Sequence, residues 1–226
     1  MKTTLWSRIR ALIRDNPHCW WALYLLVYLA LYFTVETVVD GSGPYWSSWC
    51  PLDDRIPFLP YFVVAYCSWH PIMILTGLWL LFRDGPAFRR YMQFIAIGFT
   101  ASTLICFLIP NGQDLRPAVF ENPNIFTAIL SGIYRADTNT NVFPSVHVIG
   151  CLALIFAALD SAGLKKVRIP LILWSLLIIA STVLVKQHSI LDVFGAIALC
   201  IPIAAVLWYR RRKEQSREER EKERDG

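Results

Sequence analysis

Long apolar runs constrain this 226-residue chain more than any other feature. They form segments of roughly 20 residues, about the length that crosses a hydrocarbon core as a helix. Hydrophobic residues make up 55% of the chain, more than soluble domains usually carry. The sequence therefore predicts an all-α, polytopic membrane protein with six transmembrane helices. The segments cover about residues 20–39, 59–82, 92–110, 145–160, 169–185 and 189–208.

Basic clusters beside these segments predict the orientation of the chain in the membrane. By the span count all of them lie on one face, which the positive-inside rule makes cytoplasmic. The loops at about 40–58, 111–144 and 186–188 then face outward, and both termini are cytoplasmic. The clusters are the N-terminal one, "RDGPAFRR" from Arg83, "KKVR" from Lys165 and "RRRK" from Arg210.

The predicted membrane unit is a single domain, residues 1–208, followed by a charged cytoplasmic tail, residues 209–226. The first apolar run is long for a signal peptide and no clear cleavage site follows it, so we expect a retained span. The segments near 145 and 169 are short for full spans. Within the long outer loop, residues 124–134 have helical apolar spacing and predict a short helix on the membrane surface.

Two common explanations for charged or sulfur-bearing residues do not fit this chain. The six cysteines are scattered through apolar runs without metal-ligand spacing, so they are expected to pack as small hydrophobic residues. The net charge of +5 comes from clusters that flank apolar runs, which argues for membrane topology and against nucleic-acid binding.

Two of the four histidines fall at the outer mouths of apolar segments. His147 follows a Pro-Ser turn at the start of the fourth segment, and His188 precedes the last. Asp192 stands four residues after His188, one helical turn away on the same side. A carboxylate there can accept the imidazole proton and make the other ring nitrogen more basic.

Cations on the same face complete a pattern typical of phosphoryl transfer. The nearest are Arg116 in "QDLRP" and Lys186, two positions before His188. One histidine would attack phosphorus, the second would protonate the leaving oxygen, and the cations would neutralise the other oxygens. This scheme needs no metal and no cofactor.

These motifs resemble those of the type-2 phosphatidic acid phosphatase superfamily over residues 59–208. Pro144 to His147, "PSVH", resembles its Pro-Ser-x-His motif. Ser181 to Asp192, "STVLVKQHSILD", resembles its Ser-Arg-x5-His-x3-Asp motif, and Arg116-Pro117 resembles the end of its Lys-x6-Arg-Pro motif.

The resemblance implies a role for each matching residue. His188 would be the nucleophile that becomes phosphohistidine, Asp192 its orienting partner and His147 the general acid. Arg116 and Ser145 would bind phosphate. Two family cations are absent, because Ile109 and Thr182 occupy their positions. We predict that Lys186, one helical turn after Thr182, replaces one of them.

The sequence pattern "FPSVH…KQHSILDV" looks most like that of the branch that contains inositol phosphorylceramide synthases and related phosphotransferases. Hydrolysis of a lipid phosphate is the leading expectation, and transfer of a phospho-alcohol group between lipids is the alternative. A small carrier, or a metal site at His147, His188 and Asp192, is a more remote alternative. Neither the lipid head group nor the oligomeric state follows from the sequence.

Overall fold

Helices dominate the computed structural model, which describes Arg14, residues 16–39 and residues 43–225. Short 3₁₀ turns precede or connect them, and one two-residue parallel pair joins β1 (Trp46–Ser47) to β2 (Asn111–Gly112). The helices are α1 (Tyr24–Val38), α2 (Val63–Cys67), α3 (Trp69–Arg83), α4 (Gly85–Leu108), α5 (Ile125–Ala136), α6 (Val146–Asp160), α7 (Arg168–Leu184) and α8 (Ile190–Asp225). The 3₁₀ turns are Pro17–Leu23, Asp53–Arg55, Pro60–Phe62 and Ala162–Leu164.

Helical stretches long and apolar enough to cross a membrane make this an integral membrane protein. Within the described residues there are four: Pro17–Val38, Pro60–Arg83, Gly85–Leu108 and Ile190–Glu221. All six predicted apolar segments are helical, but α6 and α7 have only 15 and 17 residues. At about 1.5 Å per residue they are shorter than a hydrocarbon core of about 30 Å. The count of six full spans therefore stays a prediction, and the charged tail is the C-terminal part of α8.

Helix α6, with 15 residues, is the most enclosed of these helices. It packs against α3, α4, α7 and α8, and most of its side chains are buried. At its crossing with α4, a Cβ on Gly98 would come within 2.6 Å of Ile149, so glycine permits the close approach. Because protein surrounds α6, its ends do not have to match the thickness of the bilayer.

Polar contacts at both ends align α6 with one part of α4. At the C-terminal end of α6, Asp160 accepts a 2.9 Å hydrogen bond from Arg90, near the start of α4. At the other end, the Ser102 hydroxyl donates to the Pro144 carbonyl at 2.6 Å. Ser102 lies six residues before Leu108, the last residue of α4, or about 9 Å along the helix axis. The turn that precedes α6 is therefore recessed below the end of α4.

The loop between α4 and α6 contains the helix expected at residues 124–134. It is observed as α5, which Asn124 begins with a capping box to Thr127. Leu130 is fully buried against α2, whereas Ile125 is 67% exposed. This amphipathic arrangement fits a helix at a membrane surface, and its contact with lipid stays a prediction.

Candidate active site

The local sequence "SILD" places Asp192 against His188. Ser189 precedes α8, its hydroxyl accepts the backbone N–H of Asp192 at 3.3 Å, and its own N–H donates to the Asp192 carboxylate at 2.9 Å. This is the reciprocal pattern of a capping box, and it holds the carboxylate at the positive end of the helix dipole. The same oxygen, Oδ2, accepts the Nδ1–H of His188 at 3.2 Å.

The second histidine lies against the free nitrogen of the first. His147 Nδ1 is 3.3 Å from His188 Nε2. With its Nδ1–H directed to Asp192, a neutral His188 has its lone pair on Nε2, where it can accept the Nδ1–H of His147. Asp192 is fully buried, His188 is buried and His147 is partly buried. The structure thus brings together all three side chains predicted to be catalytic.

Aromatic rings hold His147 in place. The Tyr66 and Trp69 ring centroids lie 4.7 and 4.6 Å from its own. Trp69 also lies against the backbone of α6, where a Cβ on Gly150 would come within 2.7 Å of the indole. The sequence analysis did not identify Tyr66, Trp69 or Gly150, because each has the pattern of an ordinary packing residue within an apolar run.

Ser145 connects the two histidine segments. It is the N-cap of α6, and its hydroxyl accepts the backbone N–H of Val148 at 3.4 Å. Its own N–H donates to the Asp192 carbonyl at 3.2 Å. The residue two positions earlier, Phe143, has its N–H bound by the side chain of Asn111 at 2.7 Å. The "PSVH" turn is therefore held by α8 on one side and by Asn111 of β2 on the other.

Arg116 is bound by the loop between α4 and α6. Its guanidinium donates to the carbonyls of Tyr134, Asp137 and Thr138 at 2.7–3.2 Å and lies over the Tyr134 ring at 4.7 Å. Burial lowers the pKa of the Arg116 guanidinium, and the charge of Asp137 opposes that shift. Its Nε is buried and has no acceptor among the residues that the structure describes. The Tyr134 hydroxyl in turn donates to the Val185 carbonyl at 2.5 Å.

Lys186 has an unusual backbone and a specific set of partners. Its φ of 55° lies in the left-handed region, which residues other than glycine and asparagine rarely adopt. In this conformation it ends α7, after which the N–H groups of Gln187 and His188 donate to the Thr182 carbonyl. Its ammonium donates to the carbonyls of Asp53 and Ile56 at 2.9 and 2.7 Å.

Three residues that the sequence did not identify support the His188 segment. The Asp53 carboxylate accepts the N–H groups of Ile190 and Cys50 at 2.8 and 2.9 Å. The Gln113 amide donates to the carbonyls of Lys186 and Gln187. The Gln187 amide itself donates to the Asp137 carboxylate at 3.2 Å. These polar side chains stand out in the structure by their burial: Asp53, Gln113 and Gln187 are each at most 2% exposed.

This geometry offers a nucleophilic nitrogen, a carboxylate that orients it and an adjacent proton donor. Such a set can form and break a bond to phosphorus. Within the described part of the chain, no three His, Cys, Asp or Glu side chains converge as a metal site.

Comparison with known proteins gives one informative similarity. The chain is 29% identical over 160 residues to the undecaprenyl-diphosphatase BcrC of Bacillus subtilis (strain 168). The matched stretch covers 70% of this chain and 74% of that protein. No family model matches the chain, and no solved structure does.

Proposed function

We propose that this membrane protein is a lipid phosphatase that hydrolyses a phosphomonoester or diphosphate lipid through a phosphohistidine at His188. The contact series Asp192–His188–His147 carries the proposal, because it leaves a lone pair on His188 Nε2 beside a proton donor. The similarity to an enzyme named undecaprenyl-diphosphatase supports a lipid diphosphate as substrate and the type-2 phosphatidic acid phosphatase superfamily as family.

The reaction would proceed in two balanced steps. His147, in its imidazolium form, turns its N–H from His188 Nε2 to the leaving oxygen. His188 Nε2 then bonds to the terminal phosphorus while the bond from phosphorus to the leaving oxygen breaks, and His147 gives that oxygen the proton. Water then attacks the phosphohistidine and returns a proton to His147, and the bond between Nε2 and phosphorus breaks to release phosphate. Asp192 keeps the Nδ1 proton on His188 and stabilises the positive charge on its ring.

Three further residues would bind the phosphate oxygens. Arg116 has an Nε–H without an acceptor among the described residues, and Lys186 retains one ammonium N–H beyond its two carbonyl contacts. Ser145 would contribute its hydroxyl and the start of α6, where helix N–H groups favour anions. Lys186 would thus replace one of the two family cations whose positions are occupied here by Ile109 and Thr182.

The orientation proposed from the charge clusters puts this site on the extracytoplasmic face. His188 and the turn before His147 then lie near the outer ends of α8 and α6, with α6 recessed by about 9 Å relative to α4. A phosphate on an outer-leaflet lipid would have to dip below the interface to reach Nε2. Both termini would be cytoplasmic.

Trapping the intermediate tests the proposal directly. Purified protein would be mixed with undecaprenyl diphosphate or phosphatidic acid labelled on the terminal phosphate, then quenched in alkali, where phosphohistidine survives. We expect label on the wild-type protein and none on His188→Asn. Label that persists in His188→Asn, or turnover without any labelled wild-type protein, would overturn the mechanism. Activity should also persist in excess chelator.

The same experiment separates hydrolysis from transfer. With labelled substrate plus diacylglycerol or ceramide, a hydrolase releases inorganic phosphate, whereas a phosphotransferase yields a new labelled lipid on thin-layer chromatography. We expect inorganic phosphate. A labelled lipid as the main product would instead support the branch that contains inositol phosphorylceramide synthases.

A further inference from the structure

An apolar cleft lies between α6 and α8, far from the histidines. Its volume is about 450 Å³. Along α8 it begins at Ala204, 14 residues after Ile190, or about 21 Å from the start of that helix. On the α8 side, Ala204 and Ala205 leave room beside the larger side chains of Trp208 and Tyr209. The lining residues are Phe156, Leu159, Ala204, Ala205, Trp208, Tyr209 and Arg212.

Arg212 is the charged member of this lining. It is exposed and has no ion-pair partner among the residues that the structure describes. The preceding residue, Arg211, does have a partner. It pairs with Asp160 at 2.9 Å, and its guanidinium lies 4.8 Å from the centroid of the Trp208 ring. Arg212 is therefore a cation at the rim of an apolar cleft with no internal anion to neutralise it.

The surrounding charges reinforce this positive rim. Arg90 and Arg211 share the buried carboxylate of Asp160, and Glu214 pairs with Arg89 and Arg90. Asp84 lies beside Asp160, where its carboxylate accepts the Ser161 hydroxyl at 2.6 Å, so these three arginines are balanced by three acids and the positive surplus comes from Arg168 and Arg212. Arg168 adds a guanidinium at the same end of α6, where its Nε donates to the Ala158 carbonyl at 2.8 Å.

We infer that this cleft binds an anionic phospholipid, with an acyl chain between α6 and α8 and the phosphate on Arg212. The cleft opens beside helices that are long and apolar enough to span a bilayer, so hydrocarbon chains are the medium around it. A guanidinium binds phosphate oxygens with paired N–H donors, and the positive surplus favours lipids with a net negative charge. The site is separate from the proposed reaction and does not depend on it.

Binding of two lipids with identical chains tests the inference. Dioleoylphosphatidylglycerol and dioleoylphosphatidylcholine would be titrated into the detergent-purified protein, and bound lipid would be counted by native mass spectrometry. We expect phosphatidylglycerol to bind more tightly. Arg212→Ala should weaken it about fivefold, the factor that corresponds to about 1 kcal/mol for one cation near a membrane surface.

Matched variants on the same helix distinguish this site from general charge attraction. Lys213→Ala removes an exposed cation outside the cleft and should leave binding unchanged. Ala205→Trp fills the cleft and should weaken both lipids, whereas Val206→Trp, at an exposed position outside the lining, should not. Equal losses in Arg212→Ala and Lys213→Ala, equal binding of the two lipids, or no effect of Ala205→Trp would overturn the inference.

Discussion

Asp53 and Ile190 are joined by a 2.8 Å hydrogen bond from the backbone N–H of Ile190 to the Asp53 carboxylate, across 137 positions of sequence. The carbonyl of Asp53 also accepts the Lys186 ammonium at 2.9 Å. His188 lies between these two anchored positions. One loop residue therefore holds both sides of the segment that carries the proposed nucleophile.

Asp53→Ala should lower kcat about 10- to 100-fold with little change in KM. The variant leaves two partly buried N–H groups without an acceptor and frees the His188 segment, and small misplacements of a reacting group cost about this much. Asp53→Asn keeps an acceptor oxygen and should recover most of the rate. The control is Asp54→Ala, which removes an exposed contact to Trp49 and should have little effect. Similar losses in both alanine variants would contradict the positioning role.

The two histidines should respond differently to the leaving group. His188→Asn removes the nucleophile and should abolish turnover of every substrate. His147→Asn removes the proton donor, which contributes about 10²- to 10⁴-fold in such reactions. That loss should shrink when p-nitrophenyl phosphate replaces the lipid, because its leaving group needs no proton. An equal loss on both substrates would argue against His147 as the general acid.

The Asp192→Asn variant should separate the role of Asp192 in orienting His188 from its role in the stability of the fold. An asparagine oxygen can still accept the Ser189 N–H, so the start of α8 and the thermal stability should change little. It cannot stabilise a positively charged His188 ring, and we expect kcat to fall about 100-fold or more. Circular dichroism melts of the purified variant, measured beside its kcat, check both parts. A loss of stability as large as the loss of activity would assign Asp192 a structural role only.

Two substitutions distinguish the role of the Lys186 ammonium from that of its left-handed backbone conformation. Lys186→Ala removes the ammonium and disfavours φ = 55°, whereas Lys186→Asn removes the ammonium but tolerates that conformation. If the ammonium binds phosphate, both variants should lose kcat/KM by about tenfold or more, mainly through KM. If Lys186→Ala turns over normally while His188→Ala is inactive, Lys186 does not replace the missing cations.

Asp160 should matter far more for stability than Glu214. Asp160→Asn leaves Arg90 and Arg211 with no carboxylate at their shared buried site, and breaking such a pair costs about 3–5 kcal/mol. Glu214→Gln breaks pairs on a carboxylate that is 46% exposed, which are worth about 0–1 kcal/mol. Thermal unfolding in one detergent compares the two. Equal destabilisation would contradict the role of Asp160 in aligning α6 with α4.

Short-range features of this chain were readable from its sequence. The apolar runs located every long helix, because burial in hydrocarbon or protein requires continuous apolar length. The His188–Asp192 contact was predicted from their spacing of four, but the assumed reason was wrong. His188 precedes α8, and the capping of that helix by Ser189 and Asp192 brings the carboxylate to His188. His147 was placed at the correct helix end by its Pro-Ser turn.

The tertiary structure decided what connects these local pieces. The His147–His188 contact depends on how deeply α6 is set beside α4 and α8, and the Arg90–Asp160 pair and the Ser102 hydrogen bond control that depth. The partners of Lys186 and Arg116 are backbone carbonyls of distant loops, which no side-chain pattern encodes. Hydrophobic periodicity reports which residues are buried along one helix. Which buried groups meet depends on packing between helices, and that is why the support from Asp53, Gln113 and Trp69 became visible only in three dimensions.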